Sequence, residues 1–316
     1  MTGKRSYYRV ACLAGDGVGP EVMAEASRVI AAVSRHHGFS VEERHVPFGG
    51  EAFSRSGHLL PAATRAAYLT ADAVLVAGAD EPALAGVVAE LELQARVAEV
   101  RIDGRASVRV VAPVAEETSA WAVERAFATA LARSARLTVV SPGGRFARLV
   151  EEMGAPFDGV LVEQVEVADA VRRLAFEPEG FDVVLTGAGL GEALAGLAGS
   201  ATEHERVAAT GLVGEGPGVF APAHRAVDAE EAGQGVANPC SMLLAAAVML
   251  SEGLGERTAA STLARALGGT VESGTRTPDM VASGVGSTTR EFMDALLAEL
   301  PRRVPTFEFS REAYAA

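Results

Sequence analysis

The feature that most constrains the fold is a repeated alternation of short apolar segments with longer amphipathic ones. Residues 8–14 form the first apolar segment; a Gly/Pro break follows, and then apolar residues recur at helical spacing from Val22 to Val33. Residues 73–78 have the continuous apolar character of a strand that is buried on both faces. This alternation predicts an α/β protein with a largely parallel sheet.

The same alternation continues to the end of the chain. We predict further strands at residues 41–48, 108–114, 137–141, 157–165 and 182–186. A turn is expected at residues 49–50, and helices at 64–69, 122–133, 145–153, 168–174, 258–267 and 289–300. Residues 186–191 carry three glycines between a strand and a helix, and we interpret them as a tight turn rather than a dinucleotide loop, because their spacing is G-x-G-x-G.

Composition excludes several classes of protein. The net charge of −13 argues against a nucleic-acid partner, because a phosphate backbone attracts basic surfaces. The N-terminus has no apolar signal region, and the longest apolar run, residues 242–250, is too short to cross a membrane. Cys12 and Cys240 lie in apolar segments and are expected to be free, buried thiols. We expect a cytoplasmic protein with a small-molecule ligand.

Residues 216–250 form the stretch most suited to binding a ligand. We interpret them as a Gly/Pro-rich loop, an acidic turn, and then a small-residue helix that Asn238 and Pro239 open. Such a loop suits a flat ligand, because glycines permit close approach of the backbone and a helix N-terminus offers free N–H groups.

The order of residues in this loop resembles that of a known family. Pro222, His224, Asn238 and Pro239 follow the pattern P-x-H-G-S-A-P-D-I-A-G-K-x-I-A-N-P of the isocitrate/isopropylmalate dehydrogenase family. In that family the loop holds the adenosine half of NAD(P). Shared elements also occur at residues 15–22, 47–50, 60–61, 276–279 and 286–289.

The resemblance implies an α/β, isopropylmalate dehydrogenase-like two-domain fold, with a parallel or mixed sheet flanked by helices. The first domain would be discontinuous and comprise residues 1–100 and 214–316, and the second, residues 101–213, would carry the substrate and dimerisation surfaces. A homodimer is implied as well, although assembly with a paralogue is an alternative.

The resemblance places cofactor contacts at His224, Asp228, Glu230 and Asn238. An acid at Asp228 or Glu230 would bind the adenosine ribose and favour NAD over NADP. Asn238 would contact the adenine. Arg225 stands where the family has glycine, and we expect that it could meet a phosphate. A purely structural role for this loop remains an alternative.

The family's reaction requires a lysine base and a tyrosine acid, and this sequence lacks both in the expected places. Lys4 is the only lysine, and tyrosines occur only at positions 7, 8, 68 and 314. Trp121 lies near the place of the tyrosine but has no ionisable hydroxyl. We therefore expect the metal-dependent oxidative decarboxylation to be lost.

The family's Mg²⁺ or Mn²⁺ site has no intact counterpart. Its carboxylates correspond to Glu166, Asp169 and Glu192, but one is displaced by a residue and another position is Gly196. A one-residue shift turns a helical side chain by roughly 100°. The three acids are weak metal candidates, and solvated surface acids are the alternative.

Few other residues can carry a reaction. Arg101 matches one position of the family's arginine clamp, and Arg96 is a second arginine close to it. The catalytic candidates are Arg101, Asp169, Glu192 and His204. His204, together with Glu203, follows the helix expected to border the cleft, and a histidine there could act as an acid or base. Cys240 at a helix N-terminus is a further reactive candidate, with burial in a packing face as its alternative.

Three functions remain open from the sequence. The first is a repurposed family member in a specialised biosynthetic pathway, with a nucleotide or small acid in the same cleft. The second is a non-catalytic subunit, a pseudoenzyme that partners an active paralogue. The third is an NAD-dependent 2-hydroxy acid dehydrogenase with displaced catalytic groups.

Overall fold

The computed structural model describes residues 5–78, 81–101, 107–141, 144–200, 207–223, 231–281 and 284–301. The strands are β1 (Tyr7–Leu13), β2 (Ser40–His45), β3 (Ala73–Val76), β4 (Leu93–Arg101), β5 (Ser107–Pro113), β6 (Arg136–Val140), β7 (Leu161–Val165), β8 (Val183–Thr186), β9 (Ala208–Gly214) and β10 (Gly218–Pro222). The helices are α1 (Gly19–His37), α2 (Gly49–Ser56), α3 (Ala62–Leu69), α4 (Glu81–Glu90), α5 (Ser119–Ala132), α6 (Arg145–Gly154), α7 (Val167–Phe176), α8 (Gly191–Ser200), α9 (Cys240–Val248), α10 (Arg257–Glu272) and α11 (Thr289–Glu299).

All ten strands belong to one mixed sheet, in the order β2-β1-β3-β10-β9-β4-β5-β8-β6-β7. The strands on each side of the centre are parallel to their neighbours, as in β1–β3 and β6–β8. The central strands β9 and β4 are antiparallel to each other and to the strands that flank them. The α/β prediction, with a parallel or mixed sheet flanked by helices, is confirmed.

The two faces of the sheet are covered differently. On one face a single core extends along the whole sheet, so that Val10 of β1, Val97 of β4 and Val139 of β6 belong to the same cluster. The other face carries two separate clusters, one around Tyr68 of α3 and the other around Leu174 of α7. We call the part of this face that lies between the two clusters, along β4 and β9, the crease.

The loop after β1 is held by two close contacts. Gly15 has φ +66°, and a Cβ placed there would lie 1.4 Å from the carbonyl oxygen of Gly78, so only glycine fits. Asp16 accepts hydrogen bonds from the backbone N–H groups of Gly50 at 2.7 Å and Glu51 at 2.9 Å. These contacts join the first loop to the N-terminus of α2 and to the end of β3.

Several predicted boundaries are wrong. Residues 49–50 begin α2 rather than form an isolated turn, and β2 and β7 are shorter than the predicted strands at 41–48 and 157–165. The Gly/Pro-rich stretch contains β10 instead of an extended loop, because Val219 and Phe220 are buried between β3 and β9. The antiparallel pair β9–β10 has too many small residues and glycines for its pattern to indicate strands.

The proposed division into two domains would place its boundary at the central strands. Residue 100 lies near the end of β4 and residue 214 ends β9, so residues 1–100 and 214–316 supply one side of the sheet and residues 101–213 most of the other. We keep this division as a proposal. In the part of the chain that the structure describes, no helix has the length and apolar character needed to span a membrane.

Candidate functional site: the crease at the centre of the sheet

The floor of the crease is built by strand alternation. Successive residues of a strand point to opposite faces, so Val97 lies in the continuous core while Ala98 lies in the cluster on the other face. Arg96 therefore points to the crease side of β4. It pairs in register with Ala112 of β5 and Leu212 of β9. This position puts a cation at the centre of the sheet, between the two helix-covered clusters.

Arg96 is half-buried, and no residue in the described ranges forms a hydrogen bond or ion pair with its guanidinium. A guanidinium presents donors in a planar fork that matches a carboxylate. Partial burial strengthens such an interaction, because less solvent screens the two charges. The chemistry of this guanidinium thus suits a small anionic ligand.

One wall of the crease is formed by α8. This helix packs on β4 and β5, and a Cβ on Gly191 would lie 2.5 Å from Cβ of Ala112. Since Ala112 is the register partner of Arg96, the close approach brings the first turn of α8 beside the arginine's strand. Glu192 lies in this first turn and is exposed.

The three predicted metal ligands do not come together within one chain. Glu166 is exposed just before α7, and Asp169 forms an ion pair with Arg172 at 2.7 Å. Among the described residues, no group of three or more potential metal ligands includes Glu166, Asp169 or Glu192.

Arg101 lies away from the crease. It ends β4 on the face of the continuous core, is 6% exposed, and donates from Nη1 to the carbonyl oxygen of Ala264 at 3.0 Å. Its guanidinium is therefore directed toward α10. Of the two arginines considered from the sequence, the structure places Arg96 and not Arg101 in the crease.

Residues of the family elements at 276–279 and 286–289 hold the end of the predicted nucleotide loop in place. Asn238 donates to Asp279 Oδ2 at 2.8 Å and accepts from the backbone N–H of Cys240, the first residue of α9, at 2.9 Å. Thr289 donates to the carbonyl oxygen of Ala237 at 2.7 Å. Cys240 itself is buried, as is Cys12, so the prediction of two free, buried thiols is confirmed.

The other predicted contacts of this region lie outside the described residues. They are His224, Arg225, Asp228 and Glu230 of the cofactor loop, and Glu203 and His204 after α8. Their assignments stay predictions.

Sequence reasoning missed a buried charge network directly behind the crease. Arg109 of β5 is 2.5 Å from Glu99 of β4 and 2.5 Å from Glu252, which lies in a π-helical turn (Met249–Gly253) after α9. Arg125 also pairs with Glu252, at 2.6 Å. The one available signal was a glutamate and an arginine within two otherwise apolar strands, and a single sequence does not show that they pair.

Burial opposes ionisation of Glu99, but the charges of Arg109 and Arg133 outweigh it and lower its pKa to about 2. The network lines a cavity of about 140 Å³ between β4, β5 and α10. The carboxylate thus stays charged across the physiological range and holds the strands to the helices behind them.

Comparison with known proteins agrees with this architecture. The family model described as isocitrate/isopropylmalate dehydrogenase matches residues 9–102 and 93–296. The 3-isopropylmalate dehydrogenase of Synechococcus sp. (strain CC9605) is 32% identical, covering 88% of this chain and 94% of the relative, and that of Aquifex aeolicus is 24% identical over 93% of this chain and 98% of the relative.

Solved structures give the same result. A β-decarboxylating dehydrogenase from Thermococcus kodakarensis matches with a TM-score of 0.80 and 25% identity, covering 93% of this chain and 96% of that one. Isocitrate dehydrogenase from Methylococcus capsulatus matches with a TM-score of 0.77 at 22% identity, covering 93% of this chain and 99% of that one, which supports the fold. The chain is a member of the isocitrate/isopropylmalate dehydrogenase family.

Proposed function

We propose that this protein is a divergent family member that binds a small carboxylic acid in the crease through Arg96 and does not carry out metal-dependent oxidative decarboxylation. The observation that carries the proposal is a half-buried guanidinium at the centre of the crease, with no partner among the described residues, in a chain that lacks the family's proton-transfer groups.

We infer the loss of oxidative decarboxylation from the proton-transfer residues that the sequence lacks. Lys4 precedes β1, and no tyrosine lies between residues 69 and 313, so neither the base nor the acid of the family is available in the second half of the sheet. A missing general acid or base typically costs ~10²–10⁴ in rate. Arginine does not replace the lysine, because its pKa is too high for a general base.

The proposed protein binds its ligand without a metal and also binds NAD. Within one chain Asp169 is paired with Arg172, and Glu166 and Glu192 are not clustered with it, so we propose that Mg²⁺ or Mn²⁺ is not required for ligand binding. NAD binding is proposed from the sequence of residues 222–239 and from the fixed position of Asn238. A reaction other than the ancestral one would then use the same crease, and we propose a homodimer as the assembly.

The activity test measures NADH formation from 3-isopropylmalate and NAD⁺, with and without Mg²⁺. We expect no turnover above the background of a protein-free reaction. Metal-dependent NADH formation at a rate typical of enzymes would overturn the proposal and show that other residues have taken over proton transfer.

The binding test uses calorimetric titration of the purified protein with 3-isopropylmalate, malate, NADH and NADPH. We expect one of the acids to bind without metal, and Arg96→Ala to weaken that binding by at least about tenfold, because a charge-assisted bidentate contact is lost. Arg55→Ala is the matched control, since Arg55 is an exposed arginine on α2. Equal affinities for the two variants would rule out Arg96 as the anion site.

A further inference from the structure

A second cluster of potential ligands lies at the first edge of the sheet, on the face opposite the crease. Cys12 of β1 and His45 of β2 are partners in the parallel register. Glu43 lies two residues before His45 and so points to the same face of β2. One ligand atom from each of these three residues lies within 4.8 Å of the other two.

The distance between His45 and Glu43 suits two ligands of a tetrahedral metal ion. Nε2 of His45 is 3.2 Å from Oε2 of Glu43. Two ligands that each lie about 2.05 Å from a zinc ion at a tetrahedral angle are about 3.3 Å apart. A Cys, His and carboxylate set leaves a fourth position for water, so no additional protein ligand is needed.

We propose that Cys12, Glu43 and His45 form a binding site for a thiophilic divalent cation such as Zn²⁺. On binding, the Cys12 S–H bond breaks, a metal–sulfur bond forms, and the proton passes to solvent. The thiolate and the Glu43 carboxylate then balance the two positive charges of the ion, so the occupied site is neutral. Thiolate and imidazole ligands favour Zn²⁺ over Mg²⁺, which prefers oxygen donors.

The location allows an ion to reach the site. Strand β2 is the outermost strand of the sheet, and its His45 side chain is 53% exposed. The Glu43 side chain is 15% exposed and Cys12 is 1% exposed, so the cluster runs from the surface into the core. An occupied site would cross-link the edge strand to β1, just before the loop that contains Gly15 and Asp16.

The experiment uses the full chain without an affinity tag, stripped with a chelator and titrated with Co²⁺ as a spectroscopic substitute for Zn²⁺. We expect one equivalent to bind with a thiolate-to-cobalt charge-transfer band, and Zn²⁺ in equal amount to displace it. Mg²⁺ in large excess should leave the band unchanged. Absence of the band in the unmodified protein would overturn the proposal.

Variants identify the ligands. His45→Ala should weaken Co²⁺ binding at least about tenfold with the fold intact, because His45 is exposed. Cys12→Ala should abolish the charge-transfer band, whereas Cys240→Ala, which removes the other thiol, and His58→Ala, which removes an exposed histidine, should retain it. A band that survives in Cys12→Ala, or an affinity unchanged in His45→Ala, would contradict the assignment and leave only the hydrogen bond between His45 and Glu43.

Discussion

Glu99 and Arg109 face each other as register partners on β4 and β5 and form an ion pair inside the protein, with Nε of the arginine 2.5 Å from Oε2 of the glutamate. Arg109 also reaches Glu252 with its Nη1, so one side chain connects two strands to the π-helical turn after α9. A buried pair of this kind contributes little over an apolar substitute, but removal of one partner leaves a charge without compensation.

Arg109→Leu should therefore destabilise the protein strongly. The substitution leaves Glu99 with Arg133 alone and Glu252 with Arg125 alone, and loss of one partner of a buried pair typically costs up to ~3–5 kcal/mol. The free energy of unfolding by denaturant measures the effect. Arg55→Leu removes an exposed arginine that pairs with Glu51, and should change stability by under ~1 kcal/mol. Similar losses in the two variants would show that the core network contributes no more than a surface pair.

Stability should depend on pH through Glu99. Its folded-state pKa of about 2 lies below the ordinary value of 4.5, so its contribution is present above about pH 4.5 and is lost as the pH falls toward 2. The measurement compares unfolding free energies of the unmodified protein and Glu99→Gln between pH 7 and pH 3.

The difference in unfolding free energy between the unmodified protein and Glu99→Gln should shrink as the pH falls. Glu163→Gln is the control, because Glu163 is 48% exposed in its pair with Arg173 and solvent keeps the contribution of that pair small. A difference for Glu99→Gln that stays constant over this range would refute the assigned direction of the shift.

Gly15→Ala should be far more damaging than Gly57→Ala. Both glycines have positive φ, +66° and +73°, so each alanine pays ~1–2 kcal/mol for a left-handed conformation. Only at Gly15 does the added Cβ collide with backbone, 1.4 Å from the oxygen of Gly78, whereas no atom lies within 4 Å at Gly57. We expect Gly15→Ala to lower the thermal midpoint by at least about 10 °C more than Gly57→Ala. Equal thermal midpoints for the two variants would mean that the loop containing Gly15 can move away from Gly78 without destabilising the protein.

Exposed apolar side chains on the last strand and its helix predict where the chain self-associates. Leu161 of β7 is 71% exposed and Phe176 of α7 is 79% exposed. Exposed apolar patches often mark interfaces. The double substitution Leu161→Asp and Phe176→Glu should convert the proposed homodimer to a monomer in light scattering. Val285→Glu removes a fully exposed valine elsewhere and should leave the mass unchanged. A dimer that persists in the double variant would place the interface elsewhere.

The order of strands and helices could be predicted because it depends on local pattern. The apolar run of β3 and the helical spacing of Val22 to Val33 in α1 both appear in the structure at the predicted places. Gly38 ends α1 with φ +77°, as a glycine after a helix does. The resemblance carried by residues 15–22 was confirmed by comparisons that extend over most of the chain.

The crease could not be predicted to the same extent, because it depends on register between distant strands. Whether Arg96 or Arg101 faces the crease is decided by strand alternation, and these residues are five apart on β4 and so point in opposite directions. The pairing of Cys12 with His45 likewise follows from the alignment of β1 and β2 and not from any spacing along the chain. Neither relationship leaves a signal in a single sequence.

The continuous core behind the crease limits how far the two halves of the sheet can move apart. Val97, on the face of β4 opposite the crease, packs in the same cluster as Val10 and Val139, near opposite ends of the sheet. Swinging the two halves widely apart would expose this shared apolar surface to water, at roughly 25 cal/mol for each Å². The continuous core therefore opposes a wide separation of the two halves of the sheet. If the crease binds an acid as proposed, we expect selectivity to depend mainly on the shape of the crease and less on a closing movement.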